Sequence, residues 1–179
     1  MLIGKGDGVG VELEALQTMR SRLTNVSIYN FAVGLNLYYG TVTMNNSIVT
    51  CQTPINTNAW VTLNLANDDI YPAADGIACT GCFSADPRFV ADRDLHLQPT
   101  SPCIDAATGA DVPDHDADGT PRPLGAASDV GAYELAPSGD AGVGGPGLDM
   151  IEPDADGAAM CVVPPDLRAP PPLDMSAPP

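Results

Sequence analysis

The chain has 179 residues, enough for one modest domain, and its 7 Lys plus Arg against 23 Asp plus Glu leave a formal charge of −16. That balance argues against a nucleic-acid ligand, whose phosphates are held by Lys and Arg, and against an anionic membrane surface. No apolar run approaches the length of about 18 residues that spans a bilayer, so no transmembrane segment is expected.

At the start, Met1 to Gly8 carries one Lys, meets Asp7 almost at once and has no apolar stretch of signal-peptide length. Five cysteines in a polar chain nonetheless fit an exported protein, so we expect an export signal upstream of Met1. Val9-Gly10-Val11-Glu12-Leu13 then recurs as Val33-Gly34-Leu35-Asn36-Leu37, a spacing of 24. A second phrase occurs three times, around Leu23 to Ile28, Val42 to Val49 and Leu63 to Ile70, with Ile at 28, 48 and 70. Each phrase alternates apolar with polar residues and is bounded by Asn or Gly, the pattern of short strands. Glu12 to Arg22 is the one stretch with helical spacing, and it reads equally well as a strand followed by a loop.

Strands that return about every 20 residues, with no room for crossover helices, predict an all-β parallel β-helix, a solenoid, over residues 1–85. An antiparallel sandwich is the alternative. In the coil, Asn25, Asn46 and Asn67 should share one corner in the left-handed conformation and hydrogen-bond along a ladder. Residues 86–134 are rich in Asp and short apolar phrases, with Phe89, Leu95, Leu97, Ile104, Val130 and Tyr133 available to bury, and are expected to cap the coil. Residues 135–179 have no aromatic residue and 16 Pro plus Gly in 45, which predicts a disordered acidic tail.

Within the middle stretch, Asp86-Pro87-Arg88-Phe89-Val90, Asp94-Leu95-His96-Leu97, Ser101-Pro102-Cys103-Ile104-Asp105-Ala106, Asp116-Ala117-Asp118-Gly119-Thr120-Pro121-Arg122-Pro123 and Asp129-Val130-Gly131-Ala132-Tyr133-Glu134 follow one another in order. Over about residues 20–134 the chain resembles the C-terminal end of bacterial right-handed parallel β-helix proteins of the pectin-lyase-like type, those called choice-of-anchor Q domain proteins, which implies that the coil is a right-handed parallel β-helix. The resemblance implies an exported, surface-associated protein and no particular reaction.

Cys51, Cys79, Cys82 and Cys103 are the disulfide candidates, with three pairings open, and their expected use is to staple the cap to the coil; Cys161 is left over. Cys79-Thr80-Gly81-Cys82 also has the spacing of redox and zinc motifs, and zinc could recruit Cys103 and His96. Asp114, Asp116 and Asp118, followed by Gly119, have the spacing of a calcium loop, although Gly125 stands where the bidentate Glu belongs; the other reading is a solvated acidic turn. Asp154 and Asp156 echo it weakly.

A lyase acting on acidic sugars needs Arg or Lys near the abstracted proton, and none lies between Arg22 and Arg88. A hydrolase needs two carboxylates flanking one bond, and Asp68-Asp69 is the local pair in the repeats. No catalytic residue is assigned. The expected function is therefore a secreted or cell-surface structural or adhesive protein that binds extracellular carbohydrate or a surface protein, with Tyr29, Tyr38, Tyr39 and Trp60 suited to sugar stacking. A fragment of a polysaccharide lyase or glycoside hydrolase is the alternative.

Overall fold

A computed structural model describes residues 1–14, 20–109 and 111–136. Among them it is all-β and contains no helix. The strands are β1 (Leu2–Ile3), β2 (Val9–Glu14), β3 (Arg20–Thr24), β4 (Ser27–Tyr29), β5 (Val33–Asn45), β6 (Ile48–Thr50), β7 (Thr53–Asn56), β8 (Val61–Ala66), β9 (Asp69–Tyr71), β10 (Phe89–Ala91) and β11 (Asp94–Leu97). The stretch weighed as a helix contributes its ends to β2 and β3, and the expected tail lies outside the described residues from 137 onward.

Every pairing among β1 to β9 is parallel, which excludes the antiparallel sandwich for this region. One sheet runs β1-β4-β6-β9. The long strand β5 serves two ladders: its first half pairs with β2 and β7, its second half with β3 and β8. Parallel pairing requires the chain to return to its starting side before each new strand, so like residues fall opposite like. Val9, Val11 and Leu13 face Val33, Leu35 and Leu37, as the 24-residue spacing predicts.

The second repeat runs at a constant step of 21, because Ile28 pairs with Val49 and Val49 with Ile70. Ile48 is not the equivalent of Ile28: it pairs with Ser27 and Asp69. A one-residue slip in a strand sends a side chain to the opposite face. Ile28, Val49 and Ile70 therefore join Leu35, Val42, Met44 and Leu65 in the main core, while Ile48 points outward into a second cluster with Leu97, Cys103 and Val130.

Asn25, Asn46 and Asn67 do take the left-handed conformation, at φ 49°, 52° and 57°, and Gly81 continues that corner at φ 69°. An added Cβ at Gly81 would lie 2.5 Å from Asn67 Oδ1, so glycine is required there by contact as well as by dihedral. The asparagine side chains do not bond to one another as expected. Asn25 Nδ2 donates to the carbonyls of Asp129 and Gly131, and Asn46 exchanges bonds with the Thr108 backbone. The side-chain ladder instead forms on the registered positions 12, 36 and 56, where Asn56 Nδ2 donates to Asn36 Oδ1 and Asn36 Nδ2 to Glu12 Oε1.

These asparagine bonds show where residues 86–136 go. Rather than closing the end of the stack, the segment lies along the outer face of the β1-β4-β6-β9 sheet. Leu95, Ala132 and Tyr133 pack with Ile3 and Tyr29; Val130 and Cys103 pack with Ile48; Ala132 N donates to Ser27 Oγ and Gly131 N to the Asn46 carbonyl. At Gly131 an added Cβ would meet Ile48 Cδ1 at 2.6 Å, so the approach of backbone to sheet is as close as glycine permits.

Candidate functional site

The two short strands β10 and β11 form an antiparallel hairpin beside β4. Its approach to the hairpin is a tight turn: Asp86 Oδ1 accepts the Arg88 N–H at 2.9 Å, and Arg88 sits at φ 53°. The turn and the hairpin wall off an open cleft of about 390 Å³ on the flank of the sheet, lined by Tyr29, Thr50, Asp86, Arg88, Phe89, Asp92 and Gln98 among others. Tyr29 and Phe89 meet edge to face, with ring centroids 5.4 Å apart, and make the aromatic wall.

Polar groups surround that wall. Tyr29 OH donates to Asp92 Oδ1 at 3.1 Å, and burial together with Asp92 and Asp86 pushes the phenol above its usual pKa, so it remains a donor. Gln98 Nε2 is tied to the Phe89 carbonyl and Arg88 Nη1 to the Thr100 carbonyl, which holds both side chains in place. The Thr50 hydroxyl is buried and has no hydrogen-bond partner among the described residues. Tyr29, Thr50 and Tyr71 occupy one registered row across β4, β6 and β9, and Tyr71 remains exposed beyond the cleft. Two carboxylates and one guanidinium make the rim polar without strong net charge.

The other predicted positions divide. Asp114, Asp116 and Asp118 do not converge on an ion site. Asp116 spends both oxygens on backbone: Oδ1 accepts from Asp118 and Thr120, Oδ2 from Glu134. Burial would raise its pKa, but those bonds and the Arg122 charge outweigh burial and hold it below the usual carboxylate range. Asp118 Oδ2 pairs with His96 Nε2 at 2.9 Å, while Asp114 is exposed and offers its carbonyl to Arg122 N. The loop is a turn held by Asp116, whose oxygens are taken by backbone N–H groups, while His96 takes Asp118.

His96 is bracketed by Asp94 on Nδ1 and Asp118 on Nε2 and stacks on Tyr133 at 4.0 Å. Burial would lower its pKa, and the two carboxylates overcome that and raise it. It is not gathered with cysteines into a zinc site. Cys79 and Cys82 form a disulfide with each other, and Cys51 and Cys103 are buried free thiols, so the cross-link expected between coil and later segment is not made by these four. Cys161, Asp154 and Asp156 lie outside the described residues.

Asp68 and Asp69 are both fully buried and cannot flank a glycosidic bond. Asp68 accepts from the N–H groups of Ser47 and Ala66; Asp69 accepts from Ala85 N and from the Cys103 thiol. Burial pushes Asp68 up to about 7 and Asp69 up to about 6. Of the aromatic candidates, Tyr29 enters the cleft, Tyr38 OH accepts from Asn36, and Tyr39 and Trp60 remain exposed, immediately before the registered pair Gly40 and Val61.

No family model, curated protein or solved structure matches this chain.

Sequence reading passed over Asp92 and Gln98, which lie in different phrases and meet only through the hairpin. The signal present was Asp86-Pro87-Arg88: an Asp two residues before a residue forced positive in φ marks a tight turn able to re-aim its neighbours.

Proposed function

We propose that the chain is part of a short right-handed parallel β-helix, acting outside the cell or on its surface, that binds neutral carbohydrate in the cleft beside Tyr29 without cleaving it. The observation that carries the reading is the cleft itself, an edge-to-face aromatic wall ringed by the hydrogen-bonding side chains of Asp86, Arg88, Asp92 and Gln98. Sugars present an apolar ring face and a polar circumference, and that pairing of surfaces is what such a cleft complements. A rim with two acids and one base disfavours uronates and sulfated sugars, which would need surplus cations.

Parallel ladders at steps of 24 and 21 around one shared core support the helical winding. The ordered Asp-rich motifs support a likeness to choice-of-anchor Q domain proteins, and a disulfide fits an oxidising compartment. Placement along a flank means that residues 86–136 cover a sheet face and build the cleft at once.

A glycan array followed by calorimetry tests the proposal. Binding to neutral oligosaccharides should weaken at least tenfold in Asp92→Ala, whose side chain holds Tyr29 OH from the exposed rim, and should be unchanged in Trp60→Ala. Equal binding by wild type and Asp92→Ala would move the site elsewhere. Release of reducing ends would make Asp86 and Asp92 a hydrolytic pair and replace binding with turnover.

A further inference from the structure

The Cys79–Cys82 disulfide is built into the structure differently from a simple staple. Its loop is pinned to β8 and to the corner that follows it: Thr80 N donates to the Leu65 carbonyl, Asn67 N to the Thr80 carbonyl, and Phe83 N to the Asp68 carbonyl. That pinning carries Cys82 over Asp68. The Asp68 N–H points at Cys82 Sγ from 3.2 Å, and Asp68 Oδ2 lies 3.9 Å from the same sulfur. The carboxyl group is fully buried, oriented by two backbone donors, and within 4.8 Å of both sulfurs. Both cysteines are only half-buried and line a groove of about 270 Å³ whose other walls are Ile70, Ala73, Ala74, Ile77 and Phe83, with Ser84 as its polar member. A backbone donor stabilises a departing thiolate, a buried carboxyl group can protonate it, and an apolar groove can seat what attacks.

We propose that Cys79–Cys82 is a redox-active disulfide that exchanges with a thiol carried on an apolar peptide segment, with the groove as docking place and Asp68 as proton donor to Cys82. The incoming thiolate attacks Cys79 Sγ, a new S–S bond forms to Cys79, and the Cys79–Cys82 bond breaks. Its electron pair leaves on Cys82, which is held by the Asp68 N–H and takes the Asp68 carboxyl proton. A second thiol of the partner, as thiolate, then attacks the partner sulfur of the mixed disulfide and releases Cys79, which takes a proton from solvent. Two thiols of the partner become its disulfide, and the two electrons and two protons they lose reside on the Cys79 and Cys82 thiols, with Asp68 reprotonated from solvent. Burial of Asp68 keeps a large share of it protonated near neutrality, as the step requires.

The test uses the oxidised full chain and two single-cysteine synthetic peptides, one with Leu and Val beside the cysteine and one with Ser, followed by acid quenching and mass-spectrometric mapping. The apolar peptide should form the mixed disulfide at least tenfold faster than the Ser peptide, and on Cys79 rather than Cys82. Asp68→Asn should slow both peptides at least tenfold while the variant remains folded under the assay conditions. If that variant fails to fold, Ala73→Glu, at an exposed position on the groove, should abolish the preference for the apolar peptide while leaving the Ser peptide's rate unchanged. Equal rates for the two peptides, or trapping on Cys82, would overturn the proposal. So would a reduced protein that takes up one zinc ion per chain through the same three side chains, which would make this a metal site.

Discussion

The parallel ladders and the segment that lies against them solve one problem, the pairing of backbone groups, by opposite means. In residues 1–85 each strand finds its N–H and C=O partners on the neighbouring repeat, so side chains are free to be apolar, and Leu35, Ile28 and Met44 are completely buried. Residues 86–136 have few strand neighbours, and carboxylates take over. Asp105 accepts from Ala127 N, Asp116 from three backbone N–H groups, Asp129 from Asp105 and Leu135, and Glu134 from Leu124 and Asp129. Much of the chain's acidity in this segment thus serves to satisfy backbone donors that strand pairing does not reach.

The sharpest way to break the comparison is at Arg122 and Glu134, whose side chains are 1% and 0% exposed and bond at 2.8 Å. Arg122 also donates to the carbonyls of Asp129 and Gly131, so removing it leaves the buried Glu134 carboxylate without its counter-charge and leaves those two carbonyls with Asn25 as their side-chain donor. Arg122→Met should cost about 3–5 kcal/mol, read as a fall in urea midpoint, with the hairpin and Tyr133 environment lost first. In the ladders the same kind of experiment meets only packing: Leu35→Ala should cost about 3 kcal/mol by cavity formation, with no change in pH dependence.

Titration sets Asp68 and Asp69 against Asp116 by sign, while Asp129 of the later segment is raised by burial as the first two are. Asp68 and Asp69 have folded pKa values raised to about 7 and about 6 from 3.8, so the folded state holds their protons more tightly than the unfolded chain. Their contribution is complete below about pH 4 and is lost as pH rises through 6 and 7, by up to about 1.4 kcal/mol per pH unit for each group. Asp116, held low by its backbone donors, has the opposite sign: its contribution is present above the usual carboxylate range and lost on acidification. Denaturant midpoints collected from pH 4 to 7 should therefore fall less steeply in Asp68→Asn than in wild type.

The smallest effect lies at the seam between the regions. Asn46→Gly keeps the left-handed backbone but loses both bonds to Thr108, and should cost about 1 kcal/mol; Asn46→Ala loses the bonds and strains φ, and should cost about 1–2 kcal/mol more. Equal losses in the two variants would show that the corner's dihedral carries no energy.

The all-β, parallel character was legible in the sequence because parallel pairing places residues one repeat apart in contact, so Val9 and Val33, or Asn25, Asn46 and Asn67, advertise their neighbours by spacing alone. The phase of that repeat was not. Ile28, Ile48 and Ile70 match as letters, yet Ile48 belongs to the outer face, since apolar residues also occur on a face that another segment covers. Asp116 matched a calcium spacing and became a turn anchor for a similar reason: spacing names the atoms able to converge, while the nearest competing donor decides their use.

The sequence by itself determined the strand composition, the left-handed corners and the acidic, turn-rich character of the segment after residue 85, all of which are local properties of residues and their intervals. Tertiary structure alone decided that this segment runs along a sheet face, that Tyr29, Asp92 and Gln98 share a cleft, and that Asp68 lies beside Cys82. Those meetings depend on how chain segments distant in sequence pack, and packing is set by the summed fit of many side chains that no single interval encodes.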